Sequence, residues 1–411
     1  MNLISTENFV EAPFVIVKLG NYTFGSYTGN TGKAVLGSTM KVTFPNFMKG
    51  ITVVKINGQV NTYTVKLTYA ITENDDPNMI EKVFSSVKKS REMVLTYGDW
   101  NSPSNIYKEE TALITSITSD ISMKSSKINY TIKGVSNALN LNSATYDFPE
   151  RNAKPSDVIK ELLYTPSYGM QQVFTGMTNK RDVANANLIA GDDKKVKISP
   201  KTSTTLEYIN YLTEHMSSDT NKDTDVIKDS VYQMCIMDDS TNQFGGPYFK
   251  VQKVGGSMSP STESNAWEID VGYPGTNLVT NFEIENDESW SILYEYQDKI
   301  DQSSYTYRID NNGAILTENS PSIVRSKRKK TVGERNKTWW TLMTEFPITA
   351  KLTMKGLVKP TLLMNYVKIN VLFYGQKHIS SGVYVITKQE DNIDSNGYRT
   401  TLTLLRVKED S

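Results

Sequence analysis

The chain has one cysteine, Cys235, and two histidines, His215 and His378, among 411 residues. A single thiol excludes an internal disulfide framework and any multi-thiolate metal site. Cys235 sits in the apolar run Val231–Met237, where a buried, inert thiol is the ordinary outcome. So few imidazoles leave little for acid–base chemistry near neutral pH. Net charge is lacking too, with 45 Lys plus Arg against 45 Asp plus Glu. That argues against bulk nucleic-acid binding, which needs a basic footprint, and no specific nucleic-acid binding is expected. No apolar run approaches the ~18 residues of a membrane span, so no membrane anchor is expected. The start, Met1-Asn-Leu-Ile-Ser-Thr-Glu, has no basic region followed by an apolar core. It does not read as a secretory signal, and synthesis in a cytoplasm is expected.

Catalytic constellations are also missing. A Ser or Cys nucleophile needs a neighbouring base. His215 ends a predicted helix, and His378 lies in a loop between strands. The adjacent acids Asp75-Asp76, Glu109-Glu110, Asp192-Asp193 and Asp238-Asp239 all fall in predicted loops or caps. They read as solvated turns and not as a glycosidase pair. Gly245-Gly246 and Gly255-Gly256 lack the Lys-Ser/Thr of a phosphate loop. No catalytic, cofactor-binding or metal-ligating residue is assigned, and no cofactor is expected.

What is plentiful is tyrosine, 23 in all, a residue suited to sheets and wet interfaces. Short runs rich in β-branched and aromatic residues, punctuated by Asn, Asp and Gly, predict strands joined by hairpins. They are Phe14–Leu19, Lys41–Phe44, Gly50–Ile56, Thr62–Tyr69, Glu92–Gly98, Thr111–Ile117 and Lys127–Lys133 in the first third. Asn57-Gly58 is a tight-turn signal. Pro77 after Asp76, followed by Ile80, Val83, Phe84 and Val87, predicts one helix. The last third has runs of the same kind at Leu278–Ile284, Trp290–Tyr296, Phe346–Met354, Lys368–Gly375, Val383–Thr387 and Tyr398–Arg406, with a polar turn from Asp391 to Gly397. In the last run Leu402 and Leu404 alternate with Thr401, Thr403 and Leu405, so one set faces a core and the other faces out.

The two ends echo each other. Val94-Leu95-x-Tyr97-Gly98 matches Val371-Leu372-x-Tyr374-Gly375, and each is followed by a link and a strand–turn–strand pair. These residues define a duplicated β unit. Between the copies lie a short helix at Ser156–Tyr164, a helix opened by the capping box Thr204-Thr-Leu-Glu207, and the hairpin Val231–Met237 with Tyr248–Lys253. The fold class is therefore mainly β with α+β insertions: two similar antiparallel β-barrel domains, 1–140 and 266–411, flanking a small α+β module, 141–265. The second domain carries a polar insertion at about 298–337. Within it, Arg325, Lys327, Arg328, Lys329 and Lys330 form the one notable charge run. It is either a solvated loop or a contact for an acidic partner.

The stretch Gly382-Val-Tyr-Val-Ile-Thr-Lys-Gln-Glu-Asp-Asn-Ile-Asp-Ser-Asn-Gly-Tyr-Arg-Thr-Thr-Leu-Thr-Leu-Leu-Arg406 resembles the C-terminal end of baseplate central hub proteins of contractile-tailed bacteriophages. Gly272-Tyr-Pro-Gly-Thr-Asn-Leu-Val-Thr-Asn-Phe282 resembles the approach to their second barrel. The resemblance spans roughly 265–411 and extends more loosely to the first unit. It implies two tube-like barrels per chain and a homotrimer whose six barrels adapt a six-fold tail tube to a three-fold central spike. It implies the tail tube protein and the spike as partners, with tape measure and baseplate wedge proteins as further candidates. It also implies assembly in the host cytoplasm, a place in the virion tail baseplate, and no catalytic residue. The alternative from another class is a tail-associated cell-wall hydrolase or glycan-binding tail protein.

Overall fold

The computed structural model describes residues 2–3, 9–26, 44–45, 47–70, 78, 85, 87, 89–101, 107–122, 127–164, 187–191, 193–216, 231–237, 248–254, 266–273, 278–286, 307–309, 315–317, 348–358 and 362–409. The Trp290–Tyr296 strand and the run Arg325–Lys330 lie outside these residues, as does most of the predicted helix after Pro77. Asn78, Ser85, Val87 and Lys89 are helical.

The protein is mainly β. The longer strands of the first third are β1 (Pro13–Leu19), β2 (Tyr22–Ser26), β3 (Met48–Ile56), β4 (Thr62–Ala70), β5 (Glu92–Asp99), β6 (Tyr107–Ser122) and β7 (Lys127–Ser136). The middle contributes helices α1 (Pro155–Tyr164) and α2 (Thr205–Glu214), and the hairpin β8 (Val231–Met237) and β9 (Tyr248–Val254). The last third supplies β10 (Trp267–Tyr273), β11 (Val279–Asn286), β12 (Ile348–Lys355), β13 (Tyr366–Phe373), β14 (Gly382–Asp394) and β15 (Gly397–Glu409).

Strands of the first and last thirds form one 16-stranded sheet. Its path runs β10-β13-β14-β3-β4-β7-β6-β5-β1-β2, with β11-β12-β15 joined to β14. Within it the same antiparallel five-strand order occurs twice, as β3-β4-β7-β6-β5 and as β11-β12-β15-β14-β13. The flanks differ: β1 runs antiparallel to β5, whereas β10 runs parallel to β13.

Alternation places the cores. Ile51 and Val53 of β3, Tyr63, Val65 and Leu67 of β4, and Met93, Leu95 and Tyr97 of β5 share one apolar cluster. Leu352, Ile369, Tyr384, Ile386, Leu402 and Leu404 share another. Leu405, expected outside, is buried on the opposite face with Val383, Val385 and Val407. The middle cluster packs α1 and α2 on β8 and β9 through Ile159, Leu163, Ile209, Leu212, Ile236 and Phe249. The capping box of α2 is formed, with Thr204 Oγ1 accepting from Glu207 N–H and Glu207 Oε2 from Thr204 N–H.

The Asn57-Gly58 turn is where the three parts meet. Gly58 adopts φ +73°, a conformation that suits glycine. Its N–H donates to Met234 O on β8 (2.7 Å), and Asn57 N–H donates to Thr387 O on β14 (3.1 Å). Asn57 Nδ2 and Asn61 Nδ2 donate to Gln233 and to Ile236 O, and Asn210 Nδ2 of α2 donates to Gly58 O.

Candidate functional site: a buried charged seam between two β units

β14 is shared between the two β units. Its first half lies in the last unit beside β13, with Gly382 opposite Ile369 and Val385 opposite Tyr366. Its second half, Lys388–Asp394, pairs antiparallel with β3 from Ile56 to Gly50. The β14–β15 hairpin thus reaches out of one unit and completes the other, adding Ile393 and Tyr398 to the cluster of the first unit. Backbone contact is close, since a Cβ on Gly50 would stand 2.5 Å from Ile393 O.

The seam is lined by charge. Lys55 of β3, Lys108 and Glu110 of β6, and Asp391 of β14 are 0–1% exposed. Lys55 Nζ donates to Glu110 Oε1 at 2.5 Å, and Tyr97 OH donates to the same oxygen at 2.9 Å. β3 and β6 are separated in the sheet by β4 and β7. Contact between Lys55 and Glu110 therefore crosses an interior, and the sheet curls into a barrel around it. Asp391 accepts from Gln389 Nε2 (2.8 Å) and from Thr400 Oγ1 (2.7 Å).

Two ammonium and two carboxylate groups balance in a site closed to water. Burial alone would push Glu110 up, but the Lys55 and Lys108 ammonium groups hold its carboxyl below the ordinary value. For Asp391 burial wins, and its carboxyl is raised despite Lys108, Thr400 and Lys55. Burial also lifts Tyr97 and Tyr398 well above 10, with Glu110 adding to the first and Asp391 to the second. Both phenols stay neutral. Among the described residues these four side chains are closed off from solvent. An unmatched charge buried there would be costly.

Sequence reasoning missed this seam. Glu109-Glu110 was expected in a solvated turn, yet both residues lie inside β6 and Glu110 is fully buried. Asp391 was expected to open a turn, yet β14 continues to Asp394. Asp193 was also assigned to a solvated turn. It is 1% exposed and caps α1, accepting from Ser156 N–H (2.9 Å) and Ser156 Oγ (2.5 Å). The signal was the period of two in Lys108-x-Glu110-x-Ala112 and Gln389-x-Asp391-x-Ile393. It was unreadable without knowing that this interior is polar.

The echoed residues fall on equivalent strands at different depths. Both β6–β7 and β14–β15 are bulged, between Ile114 and Ser116 and between Ile386 and Lys388. At each bulge a threonine hydroxyl donates to a carbonyl on the next strand, Thr115 to Lys133 and Thr387 to Thr403, both at 3.2 Å. Setting these bulges in register makes Ile114 the counterpart of Ile386. The ladders then make Leu95 the counterpart of Ile369, and Tyr97 that of Val371. Val94, Leu95, Tyr97 and Gly98 lie within β5, with Tyr97 buried. Val371 and Leu372 lie near the end of β13. Tyr374 and Gly375 form the tight turn beyond it, at φ 51° and 84°, with Tyr374 85% exposed.

Cys235 is buried, and each histidine contacts a neighbouring oxygen. Burial pushes the Cys235 thiol up to about 12. His215 follows the last turn of α2, its Nδ1 2.5 Å from Tyr211 O. His378 Nδ1 is 2.7 Å from Ser380 Oγ, and Ser380 is buried in the turn before β14. A surface depression of about 830 Å³ is lined by Lys18, Lys89 and Arg91 with Glu92, a basic and not an acidic lining. Among the described residues no group of three His, Cys, Asp or Glu could hold a metal, and no helix is long and apolar enough to cross a membrane.

No family model matches the chain, and no curated protein matches its sequence. Its fold is similar to that of the 43 kDa tail protein of prophage MuSo2 from Shewanella oneidensis. The TM-score is 0.52 at 9% identity, covering 96% of this chain and 98% of that one. It is also similar to a tail protein from Neisseria meningitidis MC58, with TM-score 0.51, 11% identity and 97% of each chain covered. The chain therefore shares its fold with these two tail proteins.

Proposed function

We propose that this chain is the structural hub of a phage tail baseplate, three copies forming one ring. Each copy contributes two tube-like barrels, 1–140 and 266–411, carried on either side of the α+β module 141–265. The ring adapts a six-fold tail tube to a three-fold spike, so tube and spike are its partners and the virion tail is its place. The observation that carries this reading is the shared strand β14. One chain already holds two units with the same strand order, joined edge to edge by Lys388–Asp394 on Gly50–Ile56. A closed ring needs one contact repeated around an axis, and two near-copies per chain let three chains imitate six. The similarity in fold to a prophage tail protein and a second tail protein supports the same reading.

The role is mechanical and not catalytic. Electron cryo-microscopy of the assembled tail tip tests it. Three copies about one axis, with both β units lining a channel, are the expected result. A monomer with a saccharide in an acidic cleft, and clearing of bacterial cell walls in zymography, would overturn it in favour of a hydrolase.

A further inference from the structure

β10 joins the last unit in parallel beside β13, and its other ladder neighbour among the described residues is the two-residue strand Asn2–Leu3. Alternation sends Ile269 and Val271 of β10, with Ile369 and Val371 of β13, into the core of that unit. Glu268, Asp270, Lys368 and Asn370 therefore share the opposite face. In register, Glu268 stands beside Lys368 and Asp270 beside Asn370. All four lie inside β10 and β13.

Three of these side chains converge. Asn370 Nδ2 donates to Glu268 Oε1 and to Asp270 Oδ1, each at 2.8 Å. One amide group thus bridges two acids. Asn370 is 7% exposed, and among the described residues its Oδ1, one carboxamide's width from both acids, accepts no hydrogen bond. A buried carbonyl left without a partner loses its hydration and gains nothing in return. Two carboxylates drawn to one point also repel each other. Lys368 Nζ stands 3.9 Å from Glu268 Oε1, longer than a hydrogen bond. A water would satisfy Asn370 Oδ1 but would add no positive charge beside the acids. A cation answers both needs.

We infer that Glu268, Asp270 and Asn370 form a binding site for a hard divalent cation, calcium, which pins β10 to β13. The donors are two carboxylates and one carboxamide oxygen. Calcium takes this mixture in a loose geometry and completes its shell with water, whereas magnesium demands a strict octahedron and keeps most of its waters. Zinc favours nitrogen and sulfur donors. Lys368 is the resident counter-charge of Glu268, and it swings to solvent as the cation arrives. The site is independent of the ring proposed above, because every donor belongs to one chain.

The test is calorimetric titration of the full, chelator-treated chain with calcium chloride, alongside hydrogen exchange of the β10 amides. Terbium serves as a luminescent stand-in, excited through Trp267, which adjoins Glu268 in β10. The expected result is uptake of a single calcium, slower exchange over Trp267–Tyr273, and terbium emission that calcium displaces. Asp270→Asn should weaken binding about tenfold or more, since the charge of the ligands sets calcium affinity. Lys368→Met should tighten it, because a competing cation is gone. A polar network with no ion behaves oppositely: Lys368→Met would then speed β10 exchange whether or not calcium is present. Urea midpoints in chelator check that each variant still folds, with Glu268→Gln as the second carboxylate variant. A parent that takes up no calcium at ~1 mM overturns the site. So does uptake that neither Asp270→Asn nor Glu268→Gln weakens, or that Lys368→Met fails to tighten.

Discussion

Replacing Glu110 by Gln tests how far the buried charges inside the first β unit stabilise it, at the place where the β14–β15 hairpin completes that unit. The side chain keeps its shape and one acceptor for Tyr97, but its charge is gone. At the 2.5 Å separation of Lys55 Nζ and Glu110 Oε1, an effective dielectric of about 20 gives a gross attraction of roughly 6–7 kcal/mol. Most of this offsets the desolvation of two groups that are 1% and 0% exposed. The measured loss is that of orphaning a buried ammonium group, about 3–5 kcal/mol. Lys108 loses the same counter-charge, so the upper half of that range is expected. Removing both members, as Lys55→Met with Glu110→Leu, leaves no orphan within the pair and is expected to cost less than Glu110→Gln alone. The chain is large and need not unfold in one step. Hydrogen exchange of β3 and β14 amides is therefore the assay, with urea midpoints alongside. The coupling between Lys55→Met and Glu110→Gln should exceed about 1 kcal/mol. Additive effects, or a Glu110→Gln variant within about 0.5 kcal/mol of the parent, would refute the reasoning.

The two seam carboxyls respond to acid with opposite signs. The lowered Glu110 contributes stability that is present above the ordinary carboxylate range and lost as pH falls through its folded value. The raised Asp391 penalises the folded state above that range, and the penalty fades as pH falls. Urea midpoints from pH 7 to 3 should show Asp391→Asn abolishing a gain on acidification and Glu110→Gln abolishing the later loss. Gly50→Val should cost about 1–3 kcal/mol and raise exchange at the β3–β14 joint, because its Cβ would press on Ile393 O. Asp193→Ala should destabilise α1 by about 1–2 kcal/mol, read as faster exchange over Pro155–Tyr164, since it removes the cap on Ser156. Reversal of Lys327, Arg328 and Lys329 to Glu should weaken co-purification with an acidic spike surface, as added salt should for the parent. Unchanged co-purification across salt would make that run a solvated loop.

Amphipathic alternation was enough to place many of the strands, though not β2 or β10. Val231–Met237 was expected with the bounds it has, and Phe14–Leu19, Thr62–Tyr69 and Gly50–Ile56 lie within one or two residues of theirs. The Thr204–Glu207 capping box and the Asn57-Gly58 turn were legible because their chemistry is local. The echo of Val94–Gly98 in Val371–Gly375 pointed to equivalent strands through a shared composition, although the ladders set Tyr97 against Val371. Residue-level register depends on bulges, and a bulge leaves no mark in composition.

Local sequence thus determined where the chain turns, which runs are extended and which face of most strands is apolar, because these follow from side-chain period and turn geometry within a few residues. Tertiary structure alone decided the fate of Lys388–Asp394. Taken by itself, Lys-Gln-Glu-Asp-Asn-Ile-Asp is a polar turn with little to bury. It becomes a strand because β3, more than 300 positions earlier, offers it a backbone edge. Lys55, Lys108 and Thr400 offer its inward polar groups partners in place of water. A buried carboxylate is stable only where opposite charge and donors surround it, and those were supplied by residues distant in sequence.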